Sequence, residues 1–140
     1  MTKTMTIELP ATPEDVMRGV EELQEFCRER EVPEKAIHAL MLCVEELASN
    51  IVNHAYQRDA TQSFRLEMEH RGDRVTVELR DHGPAFDPLQ ATAPDLDEDP
   101  AERSLGGLGI HLVRRSSDEL DYARKGDENV LRLTKYLAPR

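Results

Sequence analysis

The chain has 140 residues, 39% hydrophobic and 33% charged, a balance ordinary for one globular domain large enough to bury a core. Its net charge of −10 argues against nucleic acid or an anionic membrane as a partner, since both attract Lys/Arg patches. No apolar run approaches the roughly 18 residues of a membrane span, and the N-terminus lacks the apolar core of a signal peptide, so a cytoplasmic protein is expected.

Thr4 to Leu9 alternates and predicts a short strand, which Pro10 ends. Thr12 is a helix N-cap with Pro13 at the first helical position and Asp15 in the first turn. That helix runs to about Arg30 on apolar Val16, Val20, Leu23, Phe26 and Cys27. Its acidic face, Glu14, Glu21, Glu22 and Glu25, reads as solvated or as a surface for a basic partner. Pro33 restarts a second helix that runs to Tyr56, with Ile37, Leu40, Met41, Val44, Leu47, Ala48, Ile51, Val52 and Ala55 at core-facing spacing. Cys27 and Cys43 fall on apolar faces with no second Cys or His at metal spacing, and read as reduced core residues.

The period then changes from helix to strand. Ser63 to Glu69 and Val75 to Arg80 both alternate, and Arg71-Gly72-Asp73-Arg74 joins them as a hairpin turn. From Pro88 to Leu105 there is no periodicity. Pro94 and Pro100 bracket an acidic run, in a loop of the length that is either functional or disordered. Gly106-Gly107-Leu108-Gly109 opens a third helix that ends near Ser117. Glu119 to Arg124 and Asn129 to Thr134 are strands around a turn at Lys125 to Glu128. The order predicts one domain over residues 1–140. It is a two-layer α/β sandwich, with a mixed, mostly antiparallel sheet and three helices on one face.

Three stretches can carry chemistry. Glu46 and Asn50 are one helical turn apart, on a face pointing away from the apolar stripe. They read either as a solvated polar face or as a carboxylate and an amide acting on a ligand across the helix. Asp81 ends a strand two residues before Gly83. It is a turn residue or, because a carboxylate only accepts hydrogen bonds, a holder of an exocyclic amine such as that of adenine. Gly106-Gly107-x-Gly109 sits where a helix's first N–H groups are unpaired and carry the positive end of the dipole, so a phosphate can reach them. A flexible helix entry is the plainer reading.

Taken in this order, with a long loop between the second and third, the stretches resemble the N box and two glycine boxes of the Bergerat-fold ATPases. Asn50-x-x-x-His54-Ala55-Tyr56, Gly83-Pro84-Ala85-Phe86-Asp87-Pro88 and Gly107-Leu108-Gly109-Ile110-x-Leu112-Val113 are similar within that superfamily to the small anti-sigma-factor serine kinases. The resemblance covers nearly the whole chain.

The resemblance implies ATP with Mg²⁺. Asn50 would ligate the metal, and Glu46 would take the proton from the attacking hydroxyl. Asp81 would hold the adenine amine with Gly83 and Ala85 beside the base, although Ala85 departs from the second glycine of the usual box. Gly107, Leu108 and Gly109 would meet the phosphates, and about 88–105 would form a lid carrying Arg103 toward the γ-phosphate. Thr134 would lie near adenine, and His54 is either an N-box contact or a histidine at a helix end. Implied partners are a sigma factor and a small anti-sigma-factor antagonist protein phosphorylated on serine, and a homodimer is implied as well. A module that only binds ATP stays open beside the kinase, though it needs no base at Glu46. A histidine-kinase catalytic domain cut from a longer chain fits less well, because nothing resembles a phosphoacceptor-histidine hairpin.

Overall fold

The computed structural model describes residues 2–90 and 105–137. In chain order the elements are β1 (Lys3–Pro10), α1 (Pro13–Glu29) and α2 (Glu34–Asn50), which continues directly into a π-helical turn (Ile51–Ala55). Then come β2 (Ser63–Arg71), β3 (Arg74–Asp81), a 3₁₀ turn (Pro88–Gln90), α3 (Leu105–Ser116), β4 (Glu119–Lys125) and β5 (Glu128–Tyr136). The strands extend one or two residues past the alternating patterns that predict them. The second helix is not a single α-helix to Tyr56, because its backbone changes from α to π geometry after Asn50.

Local chemistry sets the element ends. The Thr12 side chain accepts from the Asp15 backbone N–H at 3.0 Å, capping α1 one residue before Pro13. Gly72 and Gly126 take positive φ, 56° and 62°, in the turns of the β2–β3 and β4–β5 hairpins.

The sheet order is β1-β2-β3-β5-β4, and every pair is antiparallel. The predicted sandwich is present, and its sheet is antiparallel throughout the described strands rather than mixed. β5 lies between β3 and β4, so Asp81 at the end of β3 stands opposite Asn129 at the start of β5.

Alternate residues of the strands face the helices. Leu66, Met68, Val77, Leu79 and Leu133 join Val20, Leu23, Ile37, Leu40, Val44 and Leu47 in one buried cluster. α1 comes close to the sheet at Gly19, where a Cβ would stand 2.8 Å from Leu9 Cδ1. Both cysteines are buried and free. Burial pushes their thiols up, to about 12 for Cys27 and about 11 for Cys43, so neither is a ready thiolate. No helix among the described residues is long and apolar enough to cross a membrane.

Candidate functional site

A cleft of about 240 Å³ opens where the end of α2 and its π turn meet the end of β3, the start of β5 and α3. Its walls are mostly apolar, with Leu47, Ile51, Ala85, Phe86, Ile110 and Leu131 among them. Phe86 is exposed at its edge. The polar groups that reach the cleft are Asn50, His54, Asp81 and Asn129. A flat apolar ligand with a few polar positions suits such a space.

Asp81 is 3% exposed, yet it is a carboxylate. Its Oδ1 accepts from the Gly83 backbone N–H at 2.8 Å and from Asn129 Nδ2 at 3.0 Å. Both described bonds end on that one oxygen, so the second oxygen is an acceptor for whatever lies in the cleft.

Gly83 is closely packed from the protein side. A Cβ there would come within 2.7 Å of Ala55 Cβ and 3.0 Å of Asp81 Oδ1, so its small size lets the Asp81 loop pack on the π turn. Gly83 lines a shallow depression beside the cleft with Ala55, Tyr56 and His82. Tyr56 anchors the same junction. Its hydroxyl accepts from the His82 N–H at 2.6 Å and donates to the Ser63 carbonyl at 2.8 Å.

Asn50, the last residue of α2, also reaches the cleft. Asn50 Nδ2 is buried and has no hydrogen-bond partner, the one such side-chain atom among the described residues. A buried amide left unpaired is costly, which marks it for a ligand. One turn earlier, Glu46 packs its carboxylate against Gly109 so closely that a Cβ at that position would overlap Oε2. Burial, and then the neighbouring charge of Glu45, holds the Glu46 carboxyl above its ordinary value. Gly107, Leu108 and Gly109 fall in the first turns of α3. The Arg114 guanidinium, further along that helix, donates to the Leu89 carbonyl and ties α3 to the 3₁₀ turn.

The structure thus brings Glu46, Asn50, Asp81, Gly83, Ala85 and Gly109 to one region, and leaves Thr134 elsewhere. Thr134 lies five residues from Asn129 on β5, on the opposite face of the sheet. There it lines a polar groove with Thr76, Glu119 and Arg132. Thr134, expected near adenine, thus does not line the cleft that holds Asp81 and Asn129, because an odd number of residues along a strand reverses the face. Arg103 and most of the expected lid, residues 91–104, lie outside the described residues.

Sequence reasoning missed Asn129. Its only signal would have been the register that sets β5 against β3, which no local pattern encodes.

A family model described as a histidine kinase-like ATPase domain matches residues 9–135. The serine/threonine-protein kinase BtrW of Bordetella bronchiseptica is 30% identical over 98% of this chain and 96% of its own length. The serine-protein kinase RsbW of Listeria monocytogenes is 30% identical over 95% of this chain and 87% of its own. Among solved structures, that of the RsbU and RsbW domains of Rv1364c from Mycobacterium tuberculosis superposes with a TM-score of 0.70 at 18% identity. That match covers 96% of this chain and 32% of the longer one, and it speaks to the fold.

Proposed function

The chain belongs to the histidine kinase-like ATPase domain family and is similar over nearly its full length to protein serine kinases, and from that premise we propose that it moves the γ-phosphate of ATP to a serine of a small antagonist protein. The observation that carries this reading is the pairing of unlike polar groups across one apolar cleft. A buried acceptor, Asp81, and an unpaired buried donor, Asn50 Nδ2, reach the same cleft. Adenine would offer an amine to the first, and the phosphates would offer acceptor oxygens to the second.

Each residue has a chemical task. Asp81 accepts from the exocyclic amine, while Leu131, Ile110 and Ala85 cover the ring. The N–H groups of the first turn of α3, at Gly107, Leu108 and Gly109, face phosphate with the positive end of the helix dipole. Glu46 takes the proton of the serine hydroxyl as its oxygen bonds to the γ-phosphorus. The bond from that phosphorus to the β–γ bridging oxygen breaks, and ADP leaves. A carboxylate raised by burial is a better base at neutral pH than an ordinary one.

No group of three His, Cys, Asp or Glu among the described residues could hold a metal by itself. The unpaired Nδ2 of Asn50 is a donor and suits a phosphate oxygen, whereas Mg²⁺, an ion that keeps several waters and takes other oxygens from substrate phosphates, would need the amide oxygen of the same side chain. Asn50 would hold it through its amide oxygen, and bound Mg²⁺ would neutralise phosphate charge.

A sigma factor as a second, sequestered partner and a homodimer are further parts of the proposal. They rest on the likeness of Asn50 to Tyr56 and of Gly83 to Pro88 to the anti-sigma-factor kinases. A pull-down from the source cell with and without ATP tests the partners, and sedimentation equilibrium tests the dimer.

The deciding experiment is transfer of labelled γ-phosphate to a purified candidate antagonist. Glu46→Gln keeps the shape and removes the base, so the rate falls about a hundredfold or more while ATP affinity is retained. Equal transfer by wild type and variant removes Glu46 from the mechanism. Tight ATP binding with no transfer to any partner favours the binding module instead.

A further inference from the structure

Asn129 is the most heavily bonded side chain at the cleft, and the mechanism above gives it no task. It is 3% exposed. Its Nδ2 donates to Asp81 Oδ1 at 3.0 Å and to the Pro84 carbonyl at 2.9 Å, with the Gly83 carbonyl at 3.4 Å. Its Oδ1 accepts from the Phe86 backbone N–H at 3.3 Å and from the Tyr122 hydroxyl at 2.5 Å. The amide cannot be turned over. A backbone N–H only donates, and a carboxylate or a carbonyl only accepts, so each end of Asn129 has one compatible set of neighbours. Four of the five partners lie in the short stretch from Asp81 to Phe86, which forms one wall of the cleft. The fifth, Tyr122, stands on β4 next to it. Arg124, also on β4, adds a bond from Nη1 to the Gly83 carbonyl at 2.8 Å.

We infer that Asn129, held by Tyr122, is a positioning residue that fixes Asp81 and sets the preference of this site for adenine. The inference rests on the reading of the cleft as an ATP site. An amide nitrogen carries two hydrogens, and the best-placed acceptors for them are Asp81 Oδ1 and the Pro84 carbonyl. Neither hydrogen is then offered to a ligand. With Oδ1 of Asp81 also occupied, the oxygen left to the ligand is a pure acceptor. An amine at the purine 6-position satisfies it, and a carbonyl there, as in guanine, meets an acceptor with an acceptor. Asn129 thus fixes both the orientation of Asp81 and the absence of a competing donor.

The test compares Mg·ATP and Mg·GTP affinities by calorimetry, beside the melting temperature, for wild type, Asn129→Asp and Tyr122→Phe. Asn129→Asp is nearly the same shape, keeps Oδ1 as an acceptor for Phe86 and Tyr122, and turns the donor into an acceptor facing Asp81. ATP affinity should fall about tenfold or more, because a bond to a charged group is lost and two acceptors oppose each other. GTP gains nothing from the Asp81 oxygen, so its affinity stays put and the ATP-over-GTP preference narrows. Tyr122→Phe removes one neutral bond from the amide and should cost ATP about threefold, with the same narrowing. If Asn129→Asp does not fold, Tyr122→Phe decides alone. Wild-type preference in both variants overturns the inference, as does a loss of ATP and GTP affinity in parallel with a lower melting temperature. Wild type that binds neither nucleotide overturns the ATP reading itself and the inference with it, whereas wild type that binds ATP normally while the variants do too sinks the inference alone.

Discussion

Glu46 is half-buried against Gly109, and the features that suit it to act as a base also act on stability. Its carboxyl is raised by burial first and by Glu45 second. A carboxyl that holds its proton more tightly in the folded chain favours folding below its unfolded pKa, and that contribution is lost as pH rises through the folded value. At pH 7–8 the ionised Glu46 is therefore less favourable to the fold than a neutral amide of the same shape. Glu46→Gln should melt higher than wild type at pH 8, on the order of 1–2 °C for a partly exposed group. The difference should shrink toward zero below the raised pKa, where wild type is itself neutral. Calorimetric scans at pH 8 and at pH 4 measure this, and a variant less stable than wild type at pH 8 contradicts the reading. Loss of transfer together with a gain in stability would identify a residue kept for chemistry.

At the scale of elements, the π turn after Asn50 shapes the site. It ends α2 at the residue with the unpartnered amide and brings His54 and Ala55 to the cleft. It also hands the chain to two residues with positive φ, Gln57 at 49° and Arg58 at 62°, neither of them glycine. Left-handed backbone costs an L-residue roughly 1–2 kcal/mol, and such strain gathers near functional sites. Gln57 is exposed, so glycine there relieves the strain against a smaller loss from the added freedom of the unfolded chain. Gln57→Gly should therefore leave stability unchanged or raise it by up to about 1 kcal/mol in urea unfolding, against the usual effect of added glycine. A loss of more than about 1 kcal/mol would mean that the side chain makes a contact the geometry does not account for. The sequence gives the helical face from Ile37 to Ala55 plainly, because apolar spacing survives the change of geometry. The π turn itself is not legible, since one extra residue per turn leaves no mark in composition. The hairpins are legible from their alternation and their glycines.

At the scale of the whole molecule, what the sequence leaves open is long-range. Alternation fixes which residues of each strand face the helices, but either strand of the β4–β5 hairpin could have paired with β3. The choice of β5 sets Asn129 against Asp81. The same topology makes the site depend on the entire fold, because α2, the π turn, β3, β5 and α3 all contribute walls. With one sheet and one core cluster, unfolding is expected to be a single cooperative step, and a ligand that binds only the folded chain stabilises all of it. At a hundred times its Kd a nucleotide adds about 2.7 kcal/mol, which for a domain of this size moves the melting temperature on the order of 10 °C. Asp81→Asn puts an amide where the Gly83 and Asn129 donors and the adenine amine all need an acceptor, and weakens ATP at least about tenfold. At the same nucleotide concentration its shift should fall to roughly half that of wild type. Asn50→Ala should lose the part of the shift that depends on Mg²⁺. Thermal scans of the three proteins with and without Mg·ATP decide the matter: shifts of equal size in all three place the nucleotide outside the cleft between Asn50 and Asp81.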